Sequence, residues 1–185
     1  MKKITIGIPT NRGLKAKTAK CLLDLVTNYQ AEYHFVFAEE GYTTAENRNY
    51  IASQALKNES QYLLFVDDDM TFPKDTLDKL FQAKEKIVGV LSYSRKLPLQ
   101  ATVWPPESIK NALFECDQVG GGILLIDMKV FKEIPQPWFA YETYDFGMIK
   151  TGEDAYFCQK AKTKGISVWC EPRIKVGHIG EYIFG

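Results

Sequence analysis

YLLFVDDDMTFP occupies Tyr62–Pro73. Its first five residues are largely apolar and run straight into three consecutive carboxylates, Asp67, Asp68 and Asp69. A nearly continuous apolar run of this length suits a central β-strand covered on both faces. The carboxylates at its end repel one another, so something must offset their charge. A hard divalent cation does so: Mg²⁺ or Mn²⁺ is held by one or two carboxylates, with phosphate oxygens and water completing the shell. The plainer alternative is a solvated loop or a helix N-cap, because the same residues precede a helical pattern.

Upstream, KITIGIP reads as a first strand that stops at Pro9, followed by the loop TNRG. LKAKTAKCLLDLVTN then places Ala16, Ala19, Leu22, Leu23 and Val26 on one helical face. YHFVFAEE is a second strand ending on Glu39 and Glu40. Thr43 or Thr44 caps the helix AENRNYIASQALKN. Downstream, TFPKDTLDKLFQAK reads as a helix with Pro73 near its first turn. KIVGVLSY is a fourth strand. Residues 94–118 are irregular and rich in Pro and Trp. VGGGILLID is a strand and MKVFKEI a short helix. A second irregular aromatic stretch leads to the helix EDAYFCQKAKTKG, with a glycine stop at Gly165. ISVWCEP and IKVGHIG close the chain as strands. The order β-α-β-α-β-α-β implies an α/β protein with a parallel, doubly wound sheet. Ligands of such sheets bind beyond the carboxyl ends of the strands. Asp67, Asp68, Asp69, Pro9, Thr10 and Glu39 all fall at that edge.

The whole chain has 185 residues, the length of one domain. Lys+Arg and Asp+Glu balance at 23 each, so no basic field argues for nucleic acid or an anionic membrane. No apolar run approaches membrane-spanning length, and the N-terminus lacks a signal-peptide core. Cys21, Cys116, Cys158 and Cys170 show no CxxC spacing and read as reduced thiols, which fits a cytoplasmic protein.

Two chemistries use a strand-end DxD. DDDMT resembles the DxDx(T/V) motif of haloacid-dehalogenase-type phosphatases, with Asp67 as nucleophile and Asp69 as acid/base. That motif belongs to the first strand of its domain, whereas here it ends the third. The series of segments resembles more closely a GT-A-fold glycosyltransferase of the family 2 type. ITIGIPTNRG is similar to the opening strand and loop, and ENRNYIASQAL to the helix whose arginine faces the diphosphate. YLLFVDDDMTFP resembles the DxD strand, and VGGGILLIDMKVFKEI the strand under sugar and acceptor. GEDAYFCQKAKTKGISVWCEPRIKVGHIG is similar to the ED helix and closing histidine. The resemblance spans nearly the whole chain in the right order.

It implies a single domain over 1–185, a Rossmann-like α/β/α sandwich around a mostly parallel, mixed sheet. The nucleotide-binding half would cover about 1–92 and the acceptor half about 93–185. The implied activity is metal-dependent transfer of a sugar from a nucleotide-diphosphate donor, UDP- or GDP-sugar, with inversion. The acceptor, whether carbohydrate, lipid-linked or protein, is open, as is peripheral membrane contact. The implied metal, Mn²⁺ or Mg²⁺, falls to Asp69 and His178 with Asp67 near. Asp68 either faces solvent or reaches the sugar. Arg48 would support the leaving group, and Pro9, Thr10, Arg12 and Glu39 the nucleotide, with Glu40 competing for the last role. Asp154 would be the general base, with Glu153 supporting it or serving instead. Helix-dipole stabilisation is the plain account of both acids. His34, inside strand two, reads as structural. Gly120, Gly121 and Gly122 allow a close approach by ligand or backbone. Trp138 is the preferred acceptor-site aromatic. The other enzyme class open is a metal-dependent phosphohydrolase, and the non-enzymatic one a silent nucleotide- or carbohydrate-binding module.

Overall fold

A computed structural model describes residues 1–11, 13–41, 43–95 and 98–180. The first half runs β1 (Lys3–Pro9), α1 (Ala16–Asn28), β2 (Glu32–Ala38), α2 (Thr44–Lys57), β3 (Tyr62–Val66), β4 (Met70–Thr71), α3 (Thr76–Gln82) and β5 (Ile87–Val90). Then come β6 (Val103–Trp104), a 3-10 turn, β7 (Phe114–Cys116), β8 (Gln118–Val119), β9 (Ile123–Asp127) and α4 (Val130–Glu133). The last stretch is β10 (Glu142–Thr143), β11 (Ile149–Thr151), α5 (Glu153–Thr163), β12 (Val168–Glu171) and β13 (Gly177–His178).

Seven strands form one sheet in the order β2-β1-β3-β9-β5-β12-β7. β2, β1, β3, β5 and β12 share a direction, and β9 and β7 oppose it. The sheet is therefore mixed and mostly parallel, as expected. β9, from the second half of the chain, lies between β3 and β5. One apolar core contains Ala52 and Ala55 of α2, Phe131 of α4 and Phe157 of α5; the other contains Leu22 and Leu25 of α1 and Leu77 and Leu80 of α3. β3 feeds both, with Leu63 and Phe65 in the first and Leu64 and Val66 in the second. That explains its continuous apolar run. Where α2 crosses β1, a Cβ on Gly7 would sit 2.2 Å from Ile51 Cγ2, so the close approach requires glycine there.

Several boundaries differ from expectation. α1 buries Thr18, Leu22 and Leu25, at i, i+4 and i+7, while Ala16 and Leu23 are exposed. α3 begins at Thr76, because Met70–Thr71 form β4 and pair antiparallel with β13. Strand two stops at Ala38 and leaves Glu39 and Glu40 exposed. The stretch 94–118 contains β6 and β7. Of the two capping candidates, Thr43 is the N-cap of α2, in a reciprocal capping box with Glu46. No helix among the described residues is long and apolar enough to cross a membrane.

Candidate functional site

β3 carries the aspartates to the sheet edge. The Asp67 amide donates to Gly122 O at 2.9 Å, extending the β3–β9 pairing by one residue. The chain then turns, and β4 picks up β13. That pairing sets His178 opposite Met70, and the Ile179 amide donates to Asp69 O at 2.8 Å. Two residues more than a hundred positions apart thus meet through backbone ladders: His178 Nε2 lies 3.1 Å from Asp69 Oδ1.

The three carboxylates do not converge. Each has its own partner. Asp67 Oδ1 accepts from Arg48 Nη2 at 2.8 Å. Asp68 Oδ2 accepts from Thr10 Oγ1 at 2.5 Å. Asp69 faces His178 on one oxygen and Arg95 on the other, with Arg95 Nη1 at 2.5 Å from Oδ2. Burial and the charges of Asp69 and Asp67 push the Asp68 carboxyl up, against the Thr10 hydrogen bond. Burial would also raise Asp69, but the hydrogen bond and charge of His178, with the charge of Arg95, hold it below its ordinary value. The bond to Asp69 raises His178 above its ordinary value, against burial, and the Tyr93 carbonyl adds to the rise. His178 Nδ1 faces Tyr93 O at 3.1 Å. A carbonyl can only accept, so Nδ1 carries hydrogen and Nε2 points at Asp69.

A cleft of about 1050 Å³ opens over this edge. Pro9, Thr10, Asp67, Asp68, Asp69 and His178 line it, together with Asn11, Lys15, Tyr93 and Arg95. Glu39 stands outside the lining, exposed just past β2. Arg12 lies outside the described residues.

Arg48 is not among the lining residues. Only 2% exposed, its guanidinium reaches Glu153 Oε1 at 3.4 Å, Gly121 O at 3.2 Å and Asp67. It also lies over the Phe65 ring, 5.0 Å from the centroid. A Cβ on Gly121 would be 2.6 Å from Arg48 Nη2, so what comes close at that glycine is a side chain rather than a ligand. The neighbours of Arg48 are equally committed. Asn47 takes the Gly41 amide at 2.9 Å and donates to Asn11 Oδ1 at 3.1 Å. Asn49 donates to Phe139 O at 2.7 Å and accepts from the Trp138 and Phe139 amides at 3.0 and 3.1 Å. ENRN is thus a hub that ties α2 to Asn11, Gly41, Asp67, Gly121, Trp138–Phe139 and Glu153.

Glu153 and Asp154 open α5 and also stand outside the cleft lining. Asp154 Oδ2 accepts from the Gly121 amide at 3.3 Å and Oδ1 from the Ala155 amide at 2.7 Å. Arg48 joins Glu153 to Asp67. Trp138 is a core residue, only 3% exposed, its indole N–H shared between Phe131 O and Ile134 O at 3.2 Å each. It is therefore not an acceptor-facing aromatic. His34 sits on the edge strand beside Glu32. The sequence did not mark Arg95, which falls in an aperiodic stretch with no motif, or the Tyr93 carbonyl, a backbone group at the end of the expected fourth strand.

Whether the donors suit a divalent cation follows from their chemistry. Asp69 offers a hard carboxylate, and His178 an Nε2 whose opposite nitrogen is fixed by a backbone carbonyl, the usual support of a metal-ligating imidazole. Among the described residues no three His, Cys, Asp or Glu side chains form a metal-ready group. The pair fits a cation that takes its remaining ligands from phosphate and water.

By sequence, the chain matches no protein-family model and no curated protein. By structure, it resembles A197 from STIV, with TM-score 0.67 and 19% identity over 98% of this chain and 87% of A197. It resembles GalNAc-T7, solved with UDP, GalNAc and Mn²⁺, with TM-score 0.65 and 12% identity over 97% of this chain and 44% of that one. A third likeness is to S. aureus TarS 1–349 in complex with UDP-GlcNAc, with TM-score 0.53 and 13% identity over 93% of this chain and 56% of that one. The chain spans less than two thirds of these two glycosyltransferases. At such identities the likeness establishes the fold, which is GT-A-like and shared with nucleotide-sugar glycosyltransferases.

Proposed function

We propose that the protein is a family 2-like glycosyltransferase of the hexosyltransferase kind. It would move a sugar from a UDP- or GDP-sugar to a carbohydrate, lipid-linked or protein acceptor in the cytoplasm. The observation that carries this reading is the Asp69–His178 pair, assembled by β4 and β13 at the carboxyl edge of a GT-A-like sheet. The ligands of the structural neighbours, UDP, UDP-GlcNAc and Mn²⁺, support the donor class.

Asp69 and His178 would hold Mn²⁺ or Mg²⁺, with Asp67 close by. The cation would supply Lewis-acid neutralisation of the departing diphosphate. The chain's own residues do the rest. Thr10 orients Asp68 at the cleft wall. Pro9, Thr10 and Asn11 offer the surface for the nucleotide, a role also assigned to Arg12 and Glu39. The binding half is 1–92 and the acceptor half 93–185. Arg48 holds Asp67 and Glu153 in fixed relation. Glu153 is paired with that buried guanidinium, whereas Asp154 accepts from the neutral amides of Gly121 and Ala155; Asp154 would act as general base and take the acceptor's proton as its oxygen attacks the anomeric carbon, with inversion. The phosphatase reading needs Asp67 as nucleophile, yet Arg48 claims that carboxylate.

Thermal-shift measurement against UDP-, GDP-, CMP- and dTDP-sugars, with and without Mn²⁺, tests the proposal. A Mn²⁺-dependent stabilisation by one donor, abolished in Asp69→Ala, is expected. If no donor shifts the melting temperature and Asp69→Ala behaves as the parent does, the donor site is wrong. Phosphate release from a monoester without any nucleotide-sugar would favour the phosphohydrolase instead.

A further inference from the structure

The two partners of Asp69 differ in kind. His178 is fixed by the β4–β13 ladder and by Tyr93 O. Arg95 is held by far less. Its side chain is 55% exposed, while the Asp69 side chain it meets is 8% exposed. Nη1 makes a short charge-assisted bond to Oδ2, at 2.5 Å. Arg48, by contrast, is buried and committed to Asp67, Glu153 and Gly121 O. Moving Arg48 would open the core, whereas swinging Arg95 across the cleft it lines disturbs no packed layer.

A divalent cation drawn to the Asp69 carboxylate would weaken the lone pairs that Arg95 uses, and the positive charges of cation and guanidinium repel at that distance. A diphosphate arriving beside Asp69 brings negative charge to the wall that carries Arg95. Planar guanidinium suits phosphate oxygens as well as it suits carboxylate. Resting on the donor-site reading above, we propose that Arg95 is an exchangeable counter-ion of Asp69. It competes with a divalent cation for the Asp69 carboxylate and transfers to the phosphates of a nucleoside diphosphate once the cation has taken that carboxylate. Metal alone then binds against competition, nucleotide alone meets an arginine already engaged, and the two together relieve both costs. Linkage requires that each strengthen the other by the same factor.

The test titrates the full chain with MnCl₂ alone, following free Mn²⁺ by electron paramagnetic resonance. It then titrates with UDP and with GDP at saturating Mn²⁺ by calorimetry. Arg95→Gln removes the charge from an exposed position, and circular dichroism checks its fold. Arg95→Gln is expected to bind Mn²⁺ alone about tenfold more tightly, and the better nucleotide about tenfold more weakly. Arg95→Lys, which keeps the charge, should stay near the parent for Mn²⁺ alone. If Asp69→Asn loses Mn²⁺ but Arg95→Gln gains nothing, the exchange is overturned while the donor site stands. Unchanged nucleotide affinity in Arg95→Gln overturns the transfer to phosphate. If Asp69→Asn binds Mn²⁺ as the parent does, the metal is elsewhere and both readings fall.

Discussion

Arg48 Nη2 lies 2.8 Å from Asp67 Oδ1 on a side chain only 2% exposed, so the first of the three aspartates is anchored from inside the protein. The same guanidinium holds Glu153 at the start of α5. Burial works to lower the Arg48 pKa, but the charges of Asp67, Glu153 and Asp154 outweigh it and hold it above its ordinary value. The two acidic motifs, over eighty residues apart in sequence, are therefore set relative to each other by one side chain.

Arg48→Met should show this. It removes the charge while keeping much of the apolar volume over Phe65, and leaves two partly buried carboxylates facing each other. Breaking a buried pair by removing one partner costs about 3–5 kcal/mol. The lower end applies here, because the Asp67 side chain is 28% exposed. Urea denaturation measures the loss. A variant as stable as the parent would mean that the guanidinium is not the anchor.

Gly121→Ala probes the same contact from the other side. The new methyl would meet Arg48 Nη2 at 2.6 Å and Cζ at 2.7 Å, and the guanidinium cannot retreat without leaving Asp67. Overpacking of this kind costs about 1–3 kcal/mol. Gly122→Ala is the control, since its methyl meets first the flexible Met70 side chain, at 3.3 Å from Sδ. The first variant should lose clearly more stability than the second; equal losses would contradict the packing.

Much of this was legible in the sequence, and the rest was not for identifiable reasons. β3 could be read because burial on both faces produces an unbroken apolar run ending at Val66. The start of α2 could be read to within one residue, as Thr43 or Thr44, because a threonine before a helical run is a capping signal; the reciprocal box with Glu46 decides for Thr43. The two-residue strands β4 and β13 have no period to detect, yet they bring His178 to Asp69. ENRN was expected to turn its arginine towards a diphosphate, whereas Arg48 is buried against Asp67, Glu153 and Gly121 O. Nothing in a linear pattern tells an arginine facing a ligand from one folded against Gly121. The mutual repulsion of Asp67, Asp68 and Asp69 suggested one shared cation. Their backbone instead turns each carboxylate to a different partner, and Arg95 was invisible in an irregular stretch.

Asn49→Asp tests the hub role of ENRN. The carboxylate keeps the acceptors for the Trp138 and Phe139 amides but loses the donors to Phe139 O and Ala45 O, now 2.7 and 2.9 Å away. Leaving a part-buried carbonyl without its donor costs about 1–3 kcal/mol. The loss should appear in urea denaturation. Asn49→Ala, which removes the acceptors as well, should in addition speed hydrogen exchange first in the segment around Trp138. Unaltered exchange there would mean the segment is held by its aromatic packing alone.

If His178 and Asp69 hold the cation as proposed, stability and Mn²⁺ affinity should respond to pH with opposite signs. His178 is held above its ordinary 6.5, by the Asp69 bond first. A group whose pKa rises on folding contributes stability fully below its unfolded pKa, and that contribution is lost as pH rises through the folded value. Metal-free protein should therefore lose stability as pH climbs above the ordinary 6.5 and through the raised folded value. Asp69, depressed on folding, contributes at these pH values and loses its share only in acid, as pH falls through its own lowered pKa. Mn²⁺ needs the Nε2 lone pair that the proton occupies, so its affinity should rise across the same interval. Urea denaturation of the metal-free protein and Mn²⁺ titration at matched pH read the two slopes. His178→Gln should flatten both; a Mn²⁺ affinity that keeps the parent's pH dependence in that variant would remove His178 from the ligand set.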